Sequence, residues 1–206
     1  MMDYLPPNWH VLILTTEELS DKKELLLKTL IKATQVGQKE GKHLHIAPYL
    51  PSVFNIHIYS CYLLSPRFYL ALPTENILIF QPDTILLRKD DGNTDIKENR
   101  FRYLRDFFQF IYVGAPWNWD LCDAGQVDCK GGGNGGLSYR KRSAMIRVTT
   151  EPNFNREYNP EKGCGVEDIV LSLAMKKNDN YSNFFPRRSV SAKFAFETLP
   201  PSYESG

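Results

Sequence analysis

Ile77-Leu78-Ile79-Phe80-Gln81-Pro82-Asp83-Thr84 is the stretch on which the fold reading turns. Four apolar residues stand in a row, with Glu75-Asn76 before them and a polar turn after them. A run this short and this uniform fits a strand covered on both faces. That is the setting of a central strand in a parallel sheet. Asp83 then sits just past the carboxyl end of the strand, where open α/β sheets bind ligands. A carboxylate there can hold Mg²⁺ or Mn²⁺, which neutralises a diphosphate. An Asp in such a turn can equally bond its own backbone as a cap. On these residues alone both readings stay open.

Upstream, Trp9-His10-Val11-Leu12-Ile13-Leu14-Thr15 reads as a buried strand after a Pro-Pro-Asn turn. Ser20 opens a helix whose Leu26, Leu30 and Ala33 share one face. His43-Leu44-His45-Ile46 is a short strand. Its two histidines are read as the polar side of an edge rather than as a metal pair, because no acidic third ligand stands beside them. Residues 59–72 look helical and amphipathic, with Pro66 positioned to start a new turn. Downstream, the pattern predicts a helix over 97–110, a strand at Ile111-Tyr112-Val113, and a loop over 118–136. It then predicts a strand at Leu137-Ser138-Tyr139, helices over 140–149 and 166–177, and a last strand over 192–197. Strands alternate with helices, so the class is α/β. No internal repeat and no linker interrupts the chain, which reads as one domain over residues 1–206.

Composition narrows the function. The 206 residues are 42% hydrophobic and 24% charged, which excludes a wholly disordered chain. Lys plus Arg number 25 against 24 acids, a net charge of +1. Broad electrostatic binding to nucleic acid or to an anionic membrane is therefore not expected. No apolar run approaches the length of a transmembrane helix. The first residues lack a basic segment followed by an apolar one, so the default location is cytoplasmic. The cysteines, Cys61, Cys122, Cys129 and Cys164, form no C-x-x-C pair and no zinc spacing. Reduced thiols are favoured over a bridge between Cys122 and Cys129. Aromatic residues reach 13%, which suits either a ring-packed core or a ligand with flat apolar faces.

Three further segments carry chemistry. Gly131-Gly132-Gly133-Asn134-Gly135-Gly136-Leu137-Ser138 holds five glycines in six residues, which is costly to order. Such a stretch makes sense where backbone approaches a ligand closely or where amides converge on an anion. It is not a P-loop, and it does not fit the dinucleotide fingerprint. Glu167 and Asp168 open an apparent helix after Gly163-Cys164-Gly165. Acids in a first turn are stabilised by the helix dipole whatever their role. A general base for a hydroxyl nucleophile is the functional reading, because the dipole keeps the carboxylate ionised. Trp117-Asn118-Trp119-Asp120 places two indoles beside planar acceptors, which matches the C–H faces and hydroxyls of a sugar. One core Trp is the ordinary alternative.

In their order and spacing, residues 77–84, Tyr112 to Trp117, Gly133 to Arg140, Val166-Glu167-Asp168 and Ala192 to Glu197 resemble the DUF5672 family. Its members look like glycosyltransferases of the GT-A type and are common in fungi. The resemblance implies a GT-A-like fold with a mixed, mostly parallel sheet. It also implies transfer of a sugar from a nucleotide-sugar donor to a carbohydrate or other hydroxyl acceptor. Asp83 would hold a divalent cation, Mn²⁺ or Mg²⁺, although Gln-Pro-Asp replaces two acids flanking one residue. Trp117, Trp119, Gly133, Asn134, Gly135, Gly136 and Ser138 would shape the donor–acceptor pocket. Asp168 would be the base, with Glu167 on the acceptor or structural. Family members usually carry a strand and helix ahead of Leu5-Pro6-Pro7-Asn8-Trp9 and a Gly-x-His element after Glu197-Thr198. The chain is therefore expected to be a shortened member. A catalytically inactive, carbohydrate-binding relative is the alternative function.

Overall fold

The computed structural model describes residues 10–16, 43–50, 55–81, 84, 102–117, 132–152, 154 and 163–195. Contacts group the chain into two units. One joins Met1–Tyr59 to Arg88–Tyr103, and the other joins Ser60–Leu87 to Leu104–Gly206.

In the first unit, β1 (His10–Thr16) and β2 (His43–Leu50) form a two-stranded parallel sheet. Val11 lies beside Leu44 and Ile13 beside Ile46. Both strands are where hydrophobicity places them. The helix expected after Ser20 lies outside the described residues.

The second unit is built on a three-stranded sheet with the order β3-β5-β4. These strands are β3 (Asn76–Phe80), β4 (Tyr112–Ala115) and β5 (Asn134–Lys141). Both neighbours run antiparallel to β5. The protein is thus mixed α/β, as expected, but among the described residues Ile77–Phe80 pairs antiparallel rather than parallel. An apolar run reports that a strand is covered, not which way its neighbour runs. Here the partner is the Gly-rich segment itself, which the sequence reading left as loop as far as residue 136. Gly114 faces Ser138, whereas the next residue, Ala115, faces Asn134. The Gly-Gly-Leu stretch therefore bulges out of the ladder with β4, while Leu137 still pairs with Phe80 of β3.

Seven helices surround this sheet or lead into it among the described residues. They are α1 (Ile56–Leu63), α2 (Pro66–Ala71), α3 (Arg102–Arg105), α4 (Arg142–Thr150), α5 (Glu167–Lys176), α6 (Asp179–Ser182) and α7 (Arg188–Phe194). The single helix expected over 59–72 is two. Pro66 lacks an N–H and suits a first helical position. Ser65 caps α2 by accepting from the Arg67 N–H at 3.3 Å. Two further expectations are corrected. Strand β5 runs on to Lys141, so the helix begins at Arg142 rather than at residue 140. Where a last strand is expected over 192–197, residues 192–194 are instead the end of α7, and 196–197 lie outside the described residues. Ser191 and Phe194 are both buried, at helical i, i+3 spacing.

The two faces of β5 divide the interior, because successive side chains on a strand point to opposite sides. Tyr139 faces an apolar cluster with Phe107, Val113 and Phe194. The rings of Phe107 and Phe194 meet edge-on at 5.1 Å, and Phe108 stacks on Tyr139 at 5.4 Å. Ser138 and Arg140 point the other way, towards Tyr69 of α2 and Glu167 of α5.

Cys61 of α1 and Cys164 form a disulfide with a Cα–Cα distance of 5.1 Å, across 103 residues of chain. This corrects the expectation of reduced thiols, at least for these two. Neither is in a sequence motif, and only the fold brings them together. Cys122 and Cys129 lie outside the described residues. Cys164 is flanked by Gly163 (φ +92°) and Gly165 (φ +67°), backbone angles that L side chains rarely adopt. The glycines let the chain turn tightly through the bridge and enter α5. Closing so long a loop restricts the unfolded chain, with a typical effect of about 2–5 kcal/mol. Reduction, or the Cys61→Ser/Cys164→Ser double variant, is expected to lower the unfolding free energy by about that amount in urea melts. An unchanged midpoint would show that the bridge contributes nothing.

Candidate functional site

The polar centre of the second unit is Arg140. Its side chain is fully buried, at 0% exposure. Nε donates to Ser138 Oγ at 3.0 Å, Nη1 to Tyr69 Oη at 3.1 Å and Nη2 to Glu167 Oε1 at 2.6 Å. The guanidinium also lies over the Tyr112 ring, 5.3 Å from its centre. A buried cation without partners would be prohibitively unstable, whereas here each of the three nitrogens has an acceptor. The surrounding Tyr69, Glu167 and Tyr112 favour the charged form enough to outweigh burial, so the group stays protonated. Burial in turn raises the Tyr69 and Tyr112 hydroxyls, despite the neighbouring guanidinium, so both are neutral.

Glu167 and Asp168 begin α5, as the sequence predicts, and both are buried, at 3% and 5% exposure. Their roles separate. Glu167 is committed to Arg140. Asp168 Oδ2 accepts from the Gly135 N–H at 2.8 Å, and Oδ1 accepts from the Ile169 N–H at 2.7 Å. Burial pushes the Asp168 carboxyl up to about 6, from an ordinary 3.8, and the Glu167 charge adds to the shift. The Gly135 and Ile169 amides and Arg140 pull the other way without cancelling it. The amides thus act in the direction the dipole argument gives, but burial outweighs them. Even so, a carboxyl at about 6 is mostly ionised at neutral pH and is a stronger base than a free one.

The glycines of β5 explain themselves at this point. A Cβ on Gly135 would collide with Glu167 Oε1 and lie 2.9 Å from Arg140 Nη2 and 3.2 Å from the Asp168 Cβ. The strand backbone passes directly under both acids, and only glycine leaves room. Ser138 Oγ donates to the Gly135 carbonyl at 3.0 Å, and Tyr112 Oη to the Gly133 carbonyl at 2.8 Å. Asn134 Oδ1 accepts from the Gly136 N–H at 2.7 Å, and the Gly136 carbonyl accepts from the Gln81 N–H at 2.7 Å. Gly135, Ser138, Arg140, Glu167 and Asp168 are therefore one hydrogen-bonded network, which Tyr112 extends to Gly133, while Asn134 and Gly136 form a separate link to Gln81.

The other expected site residues are placed differently. Trp117 is buried at 5% exposure, and its carbonyl accepts from Arg188 Nη1 at 2.7 Å. Asp83 and Trp119 lie outside the described residues. Among the described residues no three His, Cys, Asp or Glu side chains gather as a metal set. Ser172, one turn beyond Asp168 on α5, buries an Oγ that finds no partner among the described residues. The centre of the network was missed altogether. Arg140 belongs to β5 and not to the helix expected from residue 140, and its alternation with Ser138 in Leu-Ser-Tyr-Arg is the signal that places both on one side of a strand. Nothing in the sequence marks Tyr69.

Residues 45–205 match the model of a family described as "protein of unknown function (DUF5672)". The chain belongs to the DUF5672 family. No curated protein and no solved structure matches it. The DUF5672 span includes Tyr69, Tyr112, Arg140, Glu167 and Asp168, the whole buried network, as well as both bridged cysteines.

Two outcomes follow for stability. Arg140→Met leaves Glu167 as an unpaired buried charge and is expected to cost about 3–5 kcal/mol in chemical denaturation. Asp168 binds a proton more tightly in the folded protein than in the unfolded one, so its contribution to stability is complete below about pH 4 and is lost as pH rises through about 6. The difference in stability between wild type and Asp168→Asn is therefore expected to shift against wild type by roughly 2 kcal/mol between pH 4 and pH 7. A flat difference would show that the carboxyl is not raised.

Proposed function

We propose that the chain is a glycosyltransferase-like domain of GT-A type that moves a sugar from a nucleotide-sugar donor to a hydroxyl acceptor. The observation that carries this reading is Asp168. It is a buried carboxylate raised to about 6, held against the backbone of a Gly-rich strand and set beside a second acid that Arg140 already neutralises. A carboxylate whose proton affinity is raised toward neutrality suits general-base catalysis, and a neighbouring acid committed elsewhere leaves that role to Asp168. Asp168 accepts two amide hydrogens, which leaves lone-pair capacity for an incoming hydroxyl. In the proposed reaction Asp168 takes the acceptor hydroxyl's proton. The oxygen bonds to the anomeric carbon, and the nucleoside diphosphate leaves with the electron pair of the broken bond. Glu167 fixes Arg140, and Arg140 in turn keeps the field around Asp168 from becoming doubly negative. The Ser172 hydroxyl, without a partner among the described residues, supports a ligand near this part of α5. Trp117 and Trp119 belong to the proposal as the sugar-facing side, and Asp83 as the position of an Mn²⁺ or Mg²⁺ ion. Such an ion, when bound, supplies neutralisation of the diphosphate.

A second reading is supported by the depth of the acids. Both are nearly inaccessible and engaged by the protein's own groups, as in a purely architectural centre. In that case the domain binds carbohydrate without turning it over.

Asp168→Asn separates the two. Catalysis predicts a loss of roughly 10²–10⁴-fold in donor turnover with donor affinity unchanged. It also predicts a wild-type rate that rises with pH through an apparent pKa near 6. A panel of nucleotide sugars, with and without Mn²⁺, followed by hydrolysis and by thermal shift, supplies the assay. Sugar binding with no turnover of any donor would favour the second reading.

A further inference from the structure

We propose that Asn180 is an N-glycosylation site and that the chain matures in an oxidising lumen, where the Cys61–Cys164 bridge forms. Two unrelated features point there. The first is the bridge. Disulfides persist in secretory compartments and are reduced in the cytosol. Cys164 is 1% exposed, and its loop turns through two positive-φ glycines to bring it to Cys61. The second is Asn180-Tyr181-Ser182, the triplet that oligosaccharide transfer needs. Such triplets arise by chance, so its placement matters.

The triplet occupies α6, a single turn between α5 and α7. Its middle residue points inward. Tyr181 is 3% exposed, and its Oη donates to Glu151 Oε1 at 3.0 Å. Asn178 caps the turn and also donates to Glu151, at 3.0 Å. With Tyr181 anchored, Asn180 and Ser182 lie on the outer side, and both are exposed. The Ser182 hydroxyl makes only a long contact, 3.4 Å, to the Asp179 carbonyl. A glycan on Asn180 therefore displaces nothing. Phe184, 51% exposed, follows in the same surface segment, and a glycan core beside it would cover an apolar ring.

Both steps balance. The Asn180 Nδ2 loses a proton and bonds to the anomeric carbon of an oligosaccharide carried on a lipid diphosphate, which departs with the electron pair. Cys61 and Cys164 lose two protons and two electrons to a disulfide-donating oxidoreductase. Neither step involves the Asp168 network, so the inference stands apart from the proposed transferase activity.

The test is expression of the full gene product from its own start codon in a eukaryotic host, with thiols alkylated before lysis. Peptide N-glycosidase is expected to increase gel mobility and to leave an aspartate at position 180 in the peptide map. Asn180→Gln and Ser182→Ala are each expected to abolish the shift while leaving the melting temperature of the deglycosylated protein unchanged. Non-reducing peptide mapping is expected to recover Cys61 joined to Cys164. An unmodified Asn180 in disulfide-bonded protein overturns the assignment, as does recovery of Cys61 and Cys164 as alkylated thiols.

Discussion

The ion pair between Arg140 and Glu167 constrains everything around it. A guanidinium in the middle of a sheet cannot be solvated, so each N–H must meet an acceptor on a neighbouring element. Tyr69 brings in α2, Glu167 brings in α5, and Ser138 and the Tyr112 ring bind the cation to β5 and β4. Four elements are thus fixed by a group that contributes little hydrophobic stabilisation. Once Glu167 is committed in this way, Asp168 at the next position must turn to the backbone of β5. The absence of a side chain on Gly135 is what permits that approach. The ion pair sets position, and the carboxyl beside it inherits its unusual proton affinity from the same burial.

The sheet keeps this polar centre apart from the aromatic one. Tyr139 belongs to the ring cluster with Phe107 and Phe194, while its neighbours Ser138 and Arg140 belong to the network. Phe107, Phe108, Phe110, Tyr139 and Phe194 are core on one side of β5, and Phe68, Tyr69, Tyr112, Phe154 and Tyr181 are buried elsewhere. Trp117, expected to face a ligand, is itself buried. A rigid apolar layer behind the network is a reasonable support for a site whose groups must not drift, since packed rings resist displacement.

What the sequence revealed and what it hid follow from the range of the forces involved. Local hydrophobic pattern located β1, β2, β3 and β4, and the acidic first turn located α5. Each of these is decided within a few residues. Strand direction was not legible, because Ile77 to Phe80 look alike whether the partner is parallel or antiparallel. The partner itself was disguised, because Gly135 and Gly136 are poor strand formers in isolation and are explained only by the acids packed on them. The 192–197 segment was too short to distinguish alternation from helical spacing. The acidic pair was legible as chemistry, but its electrostatics were not. Burial raised Asp168 more than the amides lowered it, and burial is a property of the assembled fold. Arg140 was invisible as a centre for the same reason, since its three hydrogen-bond partners come from residues up to 71 positions away.

The bridge between Cys61 and Cys164 also has a history that the finished fold conceals. Its partners are 103 residues apart, so at about 5–20 residues per second the ribosome delivers the second cysteine some 5–20 s after the first. In that interval Cys122 and Cys129 emerge, and either can capture Cys61 first, because oxidation of two thiols to a disulfide needs only their encounter and an oxidant. The correct pairing therefore has to be chosen after α5 has docked, when Cys164 is carried to Cys61 by structure rather than by proximity in the chain. For a chain made under oxidising conditions, disulfide shuffling is accordingly a slower step than the formation of the helices.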